Sequence, residues 1–144
     1  MIIRKPMILY YDNGQPERRR LLEKSVSHMG ITCVSVTPAL FKQTVGHLAK
    51  LKGFPAKPQS PLEVPPTITE EVMVMCNFSE KKLDELLTAM KQGLVPRIAL
   101  KAVLTTQNSF WTFAQLFEEL YEEHRNFYSK EESDDSQDAL DDQE

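Results

Sequence analysis

The amino-acid sequence predicts an α/β protein, a small four-stranded parallel sheet with helices on both faces. Short apolar or β-branched runs alternate four times with segments whose apolar residues recur at helical spacing. Such alternation is typical of a parallel sheet covered by helices. Hydrophobic residues make up 41% of the 144 residues, enough for an ordinary core. We therefore expect residues 1–128 to form one domain.

The first half of the chain predicts two strand–helix units. The strands are the apolar run 7–11 and the β-branched run 31–36. A proline suits the first turn of each following helix, Pro16 in the first and Pro38 in the second. We expect the second helix to end at Gly53.

The second half predicts two more units after a proline-rich connection. Residues 54–66 contain five prolines and no periodicity, so they should run extended over the surface, as a wrapping strap or as a lid over a site. Strands are expected over 72–77 and 98–104. Ser79 and Thr112 are suited to cap the helices that follow them.

Right-handed crossovers favour the strand order 2-1-3-4 with all strands parallel, a flavodoxin-like or half-Rossmann arrangement. The first and last helices would then cover one face and the middle two the other. No internal repeat is visible beyond the alternation itself.

The charges are unevenly distributed along the chain. Residues 129–144 carry −7, and residues 1–128 carry +3. The acidic tail has one leucine and no aromatic residue, so it is predicted to be disordered. If it docks on the body, the basic cluster Arg18–Arg20 of the first helix is the expected surface. No aromatic residue interleaves that cluster, which argues against nucleic-acid binding.

Several patterns bear on compartment and cofactors. No apolar run approaches the ~20 residues that span a bilayer, and the first residues do not resemble an export signal. Cys33 and Cys76 lie inside strand-like runs, which indicates reduced thiols in a cytoplasmic protein, with a disulfide between them as the alternative. His28, His47 and His124 share no metal-ligand spacing, so we expect no metal or cofactor and no membrane association.

A candidate ligand site follows from the predicted topology. In an all-parallel sheet of this order, the carboxyl ends of strands one and three flank the switch point, where ligands bind. These ends carry Asp12, Asn13 and Asn77, and strand four would add Lys101 and Asn108. The alternative is structural: the Asp and Asn side chains satisfy turns, and Lys101 protects an edge strand from pairing with other sheets.

Two stretches resemble a known family. They are residues 74–79 with 83–87, and residues 98–105 with Asn108 and 111–113. Together they resemble a bacterial domain-of-unknown-function family found mainly in Firmicutes. The resemblance covers roughly residues 70–125 and implies a small cytosolic α/β protein without an assigned activity.

Receiver domains are a more remote resemblance through the same alternating plan. Their phosphorylation chemistry needs an aspartate at the end of strand three, where this chain has Asn77. The sequence therefore favours a non-enzymatic binding or regulatory interaction module, acting on a protein partner or as a homodimer. A small-ligand binder or enzyme using the strand-end cleft is the alternative, and nucleic-acid binding through the first helix is the weaker one.

Overall fold

A computed structural model describes residues 5–60 and 62–126 of the chain. The acidic tail, residues 129–144, and the disorder predicted for it lie outside the described residues. Four strands are β1 (Met7–Tyr11), β2 (Thr32–Ser35), β3 (Val72–Cys76) and β4 (Leu100–Val103). The helices are α1 (Pro16–Ser27), α2 (Val45–Leu48), α3 (Glu80–Lys91) and α4 (described over 113–126), with 3₁₀ turns at Pro38–Leu40 and Asn108–Phe110.

The strands form one sheet in the order β2-β1-β3-β4, which confirms the predicted order. The prediction that all strands are parallel is wrong, because β1 and β3 pair antiparallel with Leu9 opposite Val74. The connection after β2 starts where Val36 bonds the carbonyl of Tyr10, and β3 begins with Val72 opposite Tyr11. The chain thus leaves and re-enters the sheet at the same end of the strands, so β3 runs antiparallel to β1 and β2.

The reversal of β3 also changes which helices share a face. Leu22 of α1 and Leu86 of α3 pack in one apolar cluster, whereas Val45 of α2 and Leu116 of α4 pack in the other. The expectation that the first and last helices share a face is therefore wrong. A right-handed crossover places its helix on a side set by strand direction, so reversing β3 moves α3 onto the face of α1.

The two halves of the chain have the same architecture, an internal repeat that the sequence analysis did not detect. Each half runs strand, 12-residue helix, strand, 3₁₀ turn and capped helix. The halves meet in an antiparallel bridge between Thr44 and Thr112. Its hydrogen bonds are reciprocal: the Val45 amide donates to the Trp111 carbonyl at 2.8 Å, and the Phe113 amide donates to the Gln43 carbonyl at 3.0 Å. An approximate two-fold axis therefore relates the halves.

The single helix predicted from Pro38 to Gly53 is wrong. The 3₁₀ turn stops at Leu40, and a new helix of only four residues starts after Thr44, whose hydroxyl accepts the His47 amide. The reciprocal bridge holds Thr44 extended against the second half, and this interrupts a continuous helix.

The described residues of the proline-rich segment, 54–60 and 62–66, lie against the first half as a strap. The Gln43 side chain donates to the Lys57 carbonyl at 3.0 Å and accepts from the Lys57 amide at 2.8 Å. Lys42 pairs with Glu63 at 2.8 Å. These contacts tie the segment to the body at two points, which favours the strap over the lid.

Candidate functional site

Asp12 and Asn13 form the turn between β1 and α1. Asp12 Oδ1 accepts the Gly14 amide at 2.9 Å, the bond of an Asx turn. Asn13 adopts φ +53°, a left-handed conformation that asparagine tolerates, and its Nδ2 donates to the Thr69 carbonyl at 2.9 Å. Asp12 therefore closes this turn, and Asn13 holds the segment that leads into β3.

Asn77 lies at the end of the sheet opposite to Asp12 and Asn13. It follows Cys76, which pairs with Met7 at the start of β1, and its Nδ2 lies 3.5 Å from the Lys5 carbonyl. The antiparallel central pair separates Asn77 from Asp12 and Asn13 by the length of the strands. The convergence expected of these three residues is therefore wrong, and the structure does not form the switch-point cleft.

Asn108 is buried in the loop after β4, with 7% of its surface exposed. Its Oδ1 accepts the Thr105 amide at 2.8 Å, and its Nδ2 donates to the Val103 carbonyl at 2.9 Å. The side-chain oxygen and nitrogen are thus both engaged within their own loop. The arrangement stabilises the loop that leads to α4.

The basic cluster of α1 is neutralised by neighbouring carboxylates. Each arginine has a partner: Arg18 Nε lies 2.9 Å from Glu71, Arg19 Nε lies 3.2 Å from Asp12, and Arg20 lies 2.6 Å from Glu17. Buried Tyr10 also donates its hydroxyl to Glu71, and burial together with this carboxylate raises the pKa of Tyr10. The Arg18–Glu71–Tyr10 group joins α1 to the sheet edge, which leaves little free positive charge on this helix.

The cysteines and histidines form no reactive or metal-binding group in the described part of the chain. Cys33 and Cys76 are free thiols whose neighbours belong to opposite faces of the sheet, so they cannot pair. Burial raises the pKa of each thiol to about 12. Residues 5–60 and 62–126 contain no cluster of three His, Cys, Asp or Glu side chains that could hold a metal ion. Nor is any helix described there long and apolar enough to cross a membrane.

A broad groove runs between α1 and α3, with a volume of about 1100 Å³. We call it the α1–α3 groove. Its apolar lining comes from both helices and the segment after α3: Leu21, Met29, Ala89, Leu94 and Val95. Leu21 is 55% exposed and Leu94 is 68% exposed. Large apolar side chains gathered in one groove mark an interaction surface more often than isolated ones do.

The two sides of the α1–α3 groove differ in charge. The α1 side contributes Lys24 and His28. The α3 side contributes three acids and one lysine, which are Glu80, Asp84, Glu85 and Lys81. The groove therefore has a basic side and an acidic side.

A second concavity of about 930 Å³ lies along the outer edge of β4, between α3 and the end of α4. We call it the β4 cleft. Lys91, Arg97 and Lys101 bring three cations into it, Asp84 brings one carboxylate, and His124 of α4 also lines it. Lys101 donates to the Ile98 carbonyl at 3.1 Å, and none of the three cations pairs with a carboxylate of the described residues.

Lys101 is the one sequence-predicted site residue that lines either concavity. Leu94, Lys91 and Arg97 carry no pattern in the sequence that singles them out. The adjacent pair Leu21–Leu22 carried a signal, because neighbours in a helix point about 100° apart, so only one of them can lie at the centre of a buried face.

The fold and these surfaces define a small α/β protein of two like halves on a mixed four-stranded sheet. Residues 71–127 match the family model of a domain of unknown function, DUF3783. The match covers β3, α3, β4 and described α4, so it includes every residue of the β4 cleft. No curated protein and no solved structure matches the chain.

Proposed function

We propose that the chain is a non-enzymatic interaction module that self-associates through the α1–α3 groove. The observation that carries this proposal is the exposure of Leu21 and Leu94 in one groove of mainly apolar lining. Removing such surface from water contributes about 25 cal/mol per Å² of apolar area. A second copy seated on the groove would cover both leucines in each protomer.

The charge of the groove supports a second copy as the occupant. A two-fold interface uses the same patch on both protomers, so the patch must be complementary to itself. A two-fold axis parallel to the helices brings the α1 side of one copy onto the α3 side of the other. Lys24 then approaches Asp84 of the other copy, and this happens twice in each dimer.

We further propose that the module works in the bacterial cytoplasm. The two free thiols, Cys76 buried and Cys33 half-buried, support a reducing compartment. The resemblance of residues 70–125 to a family found mainly in Firmicutes supports the bacterial setting.

Sedimentation equilibrium of the full chain across a concentration series tests the self-association. We expect a dimer that dissociates on dilution, and we expect Leu21→Glu and Leu94→Glu each to give monomers. Leu62→Glu is the matched control, because Leu62 is 90% exposed on the strap and lies outside the groove. Circular dichroism should be unchanged in all three variants, since the side chains are exposed.

A charge exchange tests the orientation of the two copies. Lys24→Glu alone should weaken the dimer, and adding Asp84→Lys should restore it, because each opposite-charge contact is then re-formed with reversed signs. A wild-type chain that stays monomeric throughout the series overturns the proposal. Equal dissociation in Leu62→Glu and Leu21→Glu would also overturn it.

A further inference from the structure

The β4 cleft is a feature of the second half that the first half lacks. The two halves share their strand register, so Lys101, which pairs with Met73 of β3, corresponds to Cys33, which pairs with Ile8 of β1. The cation thus stands where the first half has an uncharged thiol. Helix α4 also extends far beyond the four residues of α2, and His124 in this extension lines the cleft.

The cations of the β4 cleft differ from those of α1. Each arginine of α1 is paired with a carboxylate, whereas Lys91, Arg97 and Lys101 form no ion pair within the described residues. Asp84 also lines the cleft, so its three cations exceed its carboxylates by two. Lys91 and Arg97 are exposed and Lys101 is half-buried. Three like charges around one concavity raise the local potential and attract an acidic ligand.

The acidic segment of the same chain follows shortly after a residue of this cleft in the sequence. His124 lines the cleft, and residues 129–144, with a charge of −7, start five residues later. We propose that residues 129–144 bind in the β4 cleft, with their carboxylates facing Lys91, Arg97 and Lys101. A short tether gives a local concentration in the millimolar range, so weak ion pairs are enough to hold the segment.

A nitroxide attached to the tail of the full chain tests this assignment. Ala139→Cys supplies the attachment site. The wild-type chain treated with the same nitroxide reagent controls for reaction at native Cys33 and Cys76, which are expected to react slowly because burial raises the pKa of both thiols to about 12. We expect paramagnetic broadening of the backbone amides of residues 91–101, and a several-fold loss of that broadening at high salt. The broadening should persist when the labelled protein is diluted with unlabelled, isotope-free chain, since the contact is intramolecular.

Charge variants locate the contact. Changing Lys91, Arg97 and Lys101 together to Gln should reduce the broadening several-fold. The control changes Lys5, Lys52 and Lys57 to Gln. These lysines are exposed and lie outside both concavities, so this triple substitution removes the same amount of positive charge elsewhere on the surface. Asp134, Asp135 and Asp138 changed to Asn should reproduce the loss with the body untouched. Three results would overturn the proposal: broadening centred on α1, an equal loss of broadening in the two triple variants, or no broadening at low salt.

Discussion

Gly46 of α2 lies directly beneath the ring of Phe54, the first residue of the strap. A Cβ atom at position 46 would lie 2.6 Å from two ring carbons of Phe54, closer than side-chain contacts allow. The Phe54 ring is in turn packed on Phe110, with ring centroids 4.9 Å apart. Gly46→Ala must therefore displace Phe54 and weaken the attachment of the strap.

Two opposing effects set the size of this change. Alanine is favoured over glycine within a helix by about 1 kcal/mol. Forcing one extra carbon into a packed site costs about 1–3 kcal/mol, and loss of an aromatic pair costs about 0.5–1.5 kcal/mol more. The steric cost exceeds the gain in helix propensity, so we expect Gly46→Ala to lower the free energy of unfolding by about 1–3 kcal/mol.

Urea unfolding of a double-mutant cycle measures the effect. In a Phe54→Ala background the obstructing ring is gone, so the same Gly46→Ala change should raise stability by about 1 kcal/mol through helix propensity. A stabilising Gly46→Ala in the wild-type background, or equal effects in both backgrounds, would refute the close packing of Gly46 on Phe54.

Two further predictions concern the strand ends and the thiols. Asn77 has φ +64°, a left-handed conformation. Asn77→Leu should therefore lower the free energy of unfolding by about 1–2 kcal/mol, while Asn77→Gly should lower it much less, because glycine adopts positive φ without strain. Equal losses of stability in denaturant unfolding would contradict the left-handed turn. Cys33 and Cys76 have pKa values raised by burial to about 12, above the ~8.5 of an unfolded thiol. Their contribution to stability is complete below the unfolded pKa and is lost as pH rises through the folded value, so stability should fall from about pH 9 upward. At pH 8 both thiols should react with a disulfide reagent far more slowly than in urea, and equal rates would show that they are exposed.

Local sequence patterns predicted the secondary structure where it depends on residues close in sequence. Helix α1 begins at Pro16 as expected, and Ser79 caps α3 by accepting the Lys82 amide at 3.0 Å. Thr112 and Gln115 form the reciprocal bonds of a capping box. These features depend on contacts within about one helical turn, which the sequence contains.

The direction of β3 was not predictable in the same way. All five of its residues are buried, and a strand covered on both faces has the same apolar pattern whether its neighbour is parallel or antiparallel. The direction is set by the edge at which the strap returns to the sheet. That edge is decided by contacts between residues distant in sequence, such as Gln43 with Lys57 and Asn13 with Thr69.

The predicted ligand site depended on the direction of β3, so the reversal of that strand removed the predicted convergence of its residues. Asp12 and Asn77 each follow a strand as predicted, but antiparallel pairing places them at opposite edges. Lys101 is in a concavity, yet its neighbours Lys91 and Arg97 come from α3 and from the segment before β4. Sequence spacing alone does not bring these three cations together.

The sequence by itself determined the α/β class, the strand order and the charge contrast between the body and residues 129–144, because periodicity, crossover rules and composition act locally or additively. The tertiary structure alone decided that β1 and β3 run antiparallel, that the halves repeat, and that α1 and α3 border one groove. These features arise from long-range contacts whose geometry no short stretch of residues encodes.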